Sequence, residues 1–390
     1  MIKILRKIDK PLFFVTLFMF IFGLVMIFSA SYVKAITMLD NAYYYLIRQS
    51  CILCICLFVF LFVVNIPTQK YRKNYKLILY LSIALLVSLY FFGITVNGAK
   101  SWLPFPFFNF QPSELAKLAI IIYMAYYYEK YRNNKEDYRI ALKPFVYVFI
   151  ISVLVASQPD LGSALIIFSI SVSIFCAVPF LPAVRNKTRK IIGITILFGV
   201  GLISLLLLTG KSGLYAYQLQ RFNFLNPCQR YTEVGTGYQV CNSYIAVNNG
   251  GLFGVGIGNS TQKYLYLPES FTDFIFPVIV EELGLVVGVV IILIYAYIIF
   301  RILVIAKKCY TLSHGLICYG VVSYIFIHLF INLGGVLGII PLTGVPLPFL
   351  SYGGSYALCL TIGLSLVQRI SVETKLISQE ENLKNKIREI

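Results

Sequence analysis

The chain has 390 residues, 59% of them hydrophobic and only 13% charged, with a mean hydropathy of +0.81. That composition excludes a water-soluble protein. Its 33 Lys and Arg outnumber 16 Asp and Glu for a net charge of +17, but the basic residues fall in short clusters between long uncharged runs, a membrane-topology pattern that excludes nucleic-acid binding and a soluble nucleotide-binding or hydrolase fold.

A helix needs roughly 20 apolar residues to cross the hydrocarbon core. The first such run is Pro11 to Val33, too long for a signal-peptide core and without a small-residue cleavage site after it, so it reads as a span. Gln49 to Gln69 and Leu77 to Ala99 come next. Cys51, Cys54 and Cys56 lie in an apolar stretch with no histidine or second cysteine pair, which makes them filler rather than a zinc site. Pro112 to Tyr128 is a span if Glu114 and Lys117 sit at its outer end, and Pro144 to Pro159, Leu161 to Val184 and Ile191 to Gly210 follow. Phe274 to Phe300 carries Glu281 and Glu282 inside it. A helix that long measures about 40 Å against a core of roughly 30 Å, so it must tilt, bend or begin outside the membrane; a break near Glu281-Glu282-Leu283-Gly284 would do this. The uncharged stretch from Lys308 to Arg369 holds two more spans, divided by Pro341, Pro346, Pro348, Gly353 and Gly354.

The expectation is an all-α membrane protein of about ten transmembrane helices, forming one polytopic domain over residues 1–370 with a basic tail over 371–390. Assigning most of the Lys and Arg to the cytoplasm closes the alternation. Both termini are then cytoplasmic, and one long extracytoplasmic loop, about residues 211–272, joins spans 7 and 8. The tail reads as a solvated helix or as disordered.

The outer loops carry the polar residues. Asn97-Gly98-Ala99-Lys100-Ser101-Trp102 precedes Gln111-Pro112-Ser113-Glu114-Leu115-Ala116-Lys117. Glu114 and Lys117 share a face near a helix start, as a self-compensating ion pair or as a cation aimed at an anionic substrate, and the spacing leaves both open. Asp160, in Gln158-Pro159-Asp160-Leu161-Gly162, is a helix cap or a functional acid at the interface, where an unsupported charge costs roughly 3 kcal/mol. The long loop holds an amphipathic piece, Tyr217 to Phe222 with Arg221, that suits the membrane surface. Cys228 and Cys241, alone among the cysteines in that loop, can close a disulfide worth about 3 kcal/mol. Gly254, Gly256 and Gly258 lack the strand and soluble unit of a nucleotide fingerprint, so they serve tight packing or close approach to a ligand. Asp273 stands where Gln262-Lys263 to Glu269-Ser270-Phe271-Thr272 enters an apolar run; at most one of Glu281 and Glu282 can share its cavity. In the last loop, Pro346-Leu347-Pro348-Phe349-Leu350-Ser351-Tyr352-Gly353-Gly354-Ser355 puts hydroxyls and free N–H groups before a helix, an anion site or a re-entrant turn packed for shape.

These motifs in this order resemble the SEDS family (shape, elongation, division and sporulation), the group of FtsW, RodA and SpoVE, along nearly the whole chain. Gly256 to Lys263 with Tyr266 to Glu269 is more similar to the FtsW and SpoVE types than to RodA. The resemblance implies a glycosyltransferase that polymerises lipid II into β-1,4-linked glycan outside the cytoplasmic membrane of a bacterium. It implies partnership with a class B penicillin-binding protein and with other divisome or elongasome membrane proteins. Asp273 matches the family's essential aspartate, and Trp102, Glu114, Lys117, Asp160 and Ser351 fall in its other cavity motifs, with Glu269 beside them. Where the family usually has His, this chain has Phe271.

Attack by a sugar 4-hydroxyl on an anomeric carbon bearing undecaprenyl pyrophosphate needs a base and cations for the leaving group. Asp273 is the expected base. Lys117, Lys100, Arg221 and Lys263 are the expected substrate-binding cations, Lys117 first, and its replacement by Met is expected to cripple turnover without unfolding. The one cofactor candidate is a divalent cation, Mg or Mn, held by Asp160 or Glu114. A flippase would need no base, a secondary transporter would show internal repeats and midplane charges, and a scaffold would tolerate loss of Asp273. Among polymerases, a division enzyme is expected ahead of an elongation one.

Overall fold

The computed structural model describes residues 2–96, 98–105, 108–133, 137–194, 225–230, 236–264 and 266–388. A short helix α1 (Ile2–Leu5) leads to α2 (Lys10–Leu39), which Asp9 starts by accepting a hydrogen bond from Leu12 N at 3.0 Å. The helices α3 (Tyr44–Asn65) and α4 (Thr68–Phe92) follow, parted by Pro67. Gly93 ends α4 early, so the chain leaves the expected third span at Ile94 rather than Ala99. It then forms an antiparallel sheet of β1 (Ile94–Val96), β2 (Ala99–Pro104) and β3 (Asn109–Phe110), with Ile94 opposite Trp102 and Leu103 opposite Phe110. The expectation was helix alone; these three short strands sit in the loop ahead of the site.

Helix α5 (Pro112–Lys130) is the axis of the bundle: from Ala116 to Tyr128 every side chain is buried. Between Lys117 and Glu129 the helix carries no charge on any face, and such a segment belongs inside. Around it pack α4, α6 (Tyr138–Ala156), α7 (Leu161–Ala177), α10 (Leu312–Val336) and α11 (Gly354–Arg388). Capped by Asp137, α6 begins at Tyr138, six residues before Pro144, where the sequence put the start of that span. Helix α7 stops at Ala177 rather than running to Val184, and a further helical stretch covers 182–194. By length and composition seven of the described helices can cross a membrane. Helix α7 is shorter, and most of the expected span Ile191 to Gly210 lies outside the described residues.

Within the long loop, α8 (Thr236–Gly250) is held to a 3-10 turn at Pro227–Arg230 by the Cys228–Cys241 disulfide, whose Cα atoms are 4.9 Å apart. Helix α9 (Ile275–Lys307) is broken at Gly284, with φ 87° and ψ 166°, in the predicted segment. Residues 371–388 continue α11 without interruption. They are not all solvated: Val372 is buried, and Glu373 accepts from Thr68 N at 3.0 Å and Arg369 Nε at 2.7 Å.

Candidate active site

One cavity of about 590 Å³ gathers polar side chains from six segments at the end of the bundle where α2 finishes and α9 begins. Its wall includes Trp102 from β2, Gln111, Glu114 and Lys117 from the start of α5, Asp160 before α7, Arg48 from α3, and Glu269 and Asp273 from the loop ahead of α9.

Asp273 is partly buried, and the segment bearing it is laced to the loop before α11. Asn332 Nδ2 donates to the carbonyls of Asp273 and Val345, both at 2.8 Å. Ser351 Oγ donates to Thr272 O at 2.6 Å and accepts from Leu347 N at 2.7 Å, while Tyr352 N donates to Phe271 O at 2.9 Å. A side chain at Gly344 (φ +73°) would bring its Cβ to 3.2 Å from Asp273 Oδ2, so glycine there leaves room for the carboxylate. The residue directly preceding α9 is Phe274, whose side chain makes no capping bond, so Asp273 stands one position before the N-cap. Phe271 is buried, 4.5 Å from the Tyr45 ring and 5.6 Å from that of Tyr352, with Lys34 Nζ over its face at 5.3 Å. Aromatic packing thus fixes the backbone just before Asp273 where a histidine was expected. Thr272 Oγ1 donates to Glu269 Oε2 at 2.6 Å, turning Glu269 along the same loop.

Glu114 and Lys117 pair at 2.6 Å while only 2% and 1% exposed. Tyr324 OH donates to Glu114 Oε2 at 2.7 Å. The His328 ring completes the group: Nδ1 lies 2.7 Å from Tyr324 O and Nε2 lies 3.2 Å from Lys117 Nζ. A carbonyl only accepts and an ammonium only donates, so the proton sits on Nδ1 and the ring is neutral. The self-compensating ion pair is therefore present, and both of its residues also line the cavity. Asp160 also does two things: Oδ1 caps α7 through Ser163 N at 3.0 Å, and Oδ2 accepts from Gln111 Nε2 at 2.9 Å.

Three expected substrate contacts stand elsewhere. Lys100 Nζ donates to Tyr90 O at 2.8 Å, off the cavity wall: although it shares a strand face with Trp102, its side chain reaches back to the end of α4. Lys263 is buried against Glu282 at 3.0 Å and Gly258 O at 2.6 Å, a pairing that holds the loop to the α9 break. Ser351 acts on the backbone of Thr272 rather than facing the cavity. Arg221 lies outside the described residues. Neither Glu281 nor Glu282 reaches Asp273's cavity: Glu281 accepts from Asn249, Ser260 and Thr261, and Glu282 from Ser29 and Lys263.

Arg48, which the sequence reading passed over, stands on the wall with its guanidinium 5.0 Å from the Tyr44 ring. No carboxylate pairs with it among the described residues. Burial pushes the neighbouring Tyr352 phenol above its ordinary pKa, an effect Arg48 partly offsets. A basic residue directly before an apolar run on the side poor in Lys and Arg was the signal for it. As for a divalent cation, the oxygens of Glu114 and Asp160 are already engaged, and no group of three metal-binding side chains occurs among the described residues.

The family model described as cell cycle protein, that of FtsW, RodA and SpoVE, matches residues 10–376. A protein of Francisella salina named "Probable peptidoglycan glycosyltransferase FtsW" is 36% identical over 97% of this chain and 92% of its own. The Bacillus subtilis protein of the same name is 35% identical over 98% and 94%, and the stage V sporulation protein E of that organism is 33% identical over 93% and 96%. Among solved structures, RodA of Thermus thermophilus is 25% identical with a TM-score of 0.66, over 93% of this chain and 96% of that one. A chain from a peptidoglycan synthase complex that coordinates polymerization and crosslinking shares the fold at a TM-score of 0.74 and 24% identity, over 94% and 98%.

Proposed function

Because the chain belongs to the cell cycle protein family of FtsW, RodA and SpoVE, we infer that Asp273 is the general base of its glycosyl transfer. The protein is a multi-pass membrane peptidoglycan glycosyltransferase of the FtsW type. The substrate we assign is lipid II. The observation that carries the assignment is the lacing of the 271–273 backbone to the 345–352 loop, which holds one carboxylate on the wall of a roomy polar cavity.

In this reading the 4-hydroxyl oxygen of the acceptor sugar bonds to the anomeric carbon of the donor. The bond from that carbon to the pyrophosphate oxygen breaks, and undecaprenyl pyrophosphate departs with the electron pair. Asp273 takes the hydroxyl proton. Arg48 and Lys117 face the negative charge that develops on the leaving group, Arg48 with no carboxylate partner among the described residues and Lys117 with a charge already shared with Glu114. Trp102 offers a flat apolar face to a sugar ring. The charge distribution supports a cavity opening to the outside of the membrane. A class B penicillin-binding protein as partner and a role in division follow from the FtsW-type relatives, and copurification from cells tests both.

Asp273→Asn is nearly isosteric and leaves the carbonyl contact with Asn332 intact. Purified variant supplied with labelled lipid II is expected to make no glycan at a parental unfolding midpoint. Glycan at the parental rate would take the base role away from Asp273.

A further inference from the structure

The end of the bundle away from Asp273 holds a second cavity, of about 720 Å³, between the start of α2, the end of α9 and the later turns of α11. Its charged wall consists of Asp9, Arg301, Lys308 and Lys375, three cations against one carboxylate. That carboxylate is already used: Oδ1 accepts from Leu12 N at 3.0 Å and Oδ2 from Arg301 Nη2 at 2.6 Å. Arg301 Nε is buried without an acceptor. Thr374 Oγ1, also buried, has only the weakly bonding Cys309 thiol beside it. An unmet buried donor costs about 1–3 kcal/mol, and here the two residues that carry such atoms both line a cationic cavity. Lys375 does not swing freely, since its Nζ donates to Lys7 O at 2.9 Å and Ile8 O at 3.2 Å. Membrane topology alone accounts for basic residues at this end. It accounts neither for a cavity nor for an orphaned guanidinium N–H on a residue that lines it.

We propose that this cavity binds a phosphate group. A tetrahedral oxyanion there is neutralised by Arg301, Lys308 and Lys375, and a turn of the Arg301 and Thr374 side chains gives their unpartnered donors an acceptor. Basic pockets between membrane helices near the water boundary receive phospholipid headgroups in this way, and a free phosphate from the aqueous phase presents the same chemistry. The site is independent of the glycosyl transfer at the other end.

The test uses the full-length protein in nanodiscs, read by its unfolding midpoint and by native mass spectrometry of retained lipid. One arm titrates inorganic phosphate into phosphatidylcholine discs against chloride at matched ionic strength; the other replaces part of the phosphatidylcholine by phosphatidylglycerol. Lys308→Gln, at an exposed position, and Thr374→Val are the variants, and both are expected to polymerise lipid II at the parental rate. A saturable rise in midpoint that Lys308→Gln weakens at least tenfold supports the site, with phosphate alone marking a soluble ligand and phosphatidylglycerol alone a headgroup. No rise in either arm, or an equal rise in both variants, overturns it.

Discussion

Replacing Lys117 changes two things at once, because its ammonium is 1% exposed and sits 2.6 Å from Glu114. Lys117→Met leaves Glu114 as an unpaired buried charge, which costs about 3–5 kcal/mol. The sequence-based expectation that this variant loses turnover without unfolding therefore needs revision. The single variant should lose both activity and stability, whereas Glu114→Gln with Lys117→Met should recover most of the unfolding midpoint and still make no glycan. Thermal unfolding in nanodiscs and a lipid II polymerisation assay separate the two. A single variant that melts like the parent would contradict the buried pair, and an active double variant would remove Lys117 from the transfer. Asp273, Glu114, Lys117, Asp160, Trp102 and Glu269 were legible in the sequence because each is a polar or aromatic residue at the mouth of an apolar run, and they do share one cavity. Lys263 and Ser351 stand in equally suggestive motifs, but a motif fixes depth in the membrane and not the direction of a side chain. His328 was missed for the opposite reason: a lone histidine inside an apolar helix reads as core until its two ring nitrogens are seen to meet a carbonyl and an ammonium.

At the scale of elements, the break in α9 was legible from length alone, but its construction was not. Around Gly284 the lost helical hydrogen bonds are replaced across chain: Val255 N and Gly256 N donate to Glu281 O and Glu282 O, while Leu285 N and Val286 N donate to Gly251 O and Leu252 O. Two glycines make the approach possible, since a Cβ on Gly284 would lie 2.3 Å from Leu252 O and one on Gly254 would lie 2.3 Å from Glu282 O. The backbone of Gly284 also occupies a region nearly closed to other residues, at about 1–3 kcal/mol before any clash. Gly284→Ala is thus expected to unfold the outer turns of α9 and misplace Asp273, giving low yield and no polymerisation. Gly258→Ala, with φ +85° but open space around it, should cost only about 1–2 kcal/mol and stay active. Comparable unfolding midpoints for the two would mean that the loop does not brace the break. The short sheet from β1 to β3 was not legible, because the third apolar run continues past Gly93 and hydropathy does not register a helix stop.

For the whole molecule, the question is which end faces the outside. Helices α2 and α9 cross the bundle between its two cavities, so the Asp273 cavity and the phosphate cavity open at opposite ends of the same helices. The Lys and Arg residues concentrate at the end with Asp9, Arg301 and Lys375, and the rule that cytoplasmic loops are rich in Lys and Arg assigns that end to the cytoplasm. Single cysteines placed on the two ends test the assignment without reference to activity. Phe253, 83% exposed in the loop that braces α9, and Glu380, exposed on the last helix, suit the purpose. In intact spheroplasts a membrane-impermeant maleimide should label Phe253→Cys above the background of native thiols, and Glu380→Cys only after permeabilisation. The reverse pattern would put Asp273 on the cytoplasmic side. A base there would meet lipid-linked precursor before export rather than after it, and extracytoplasmic glycan polymerisation at this cavity would be ruled out however well the residues fit.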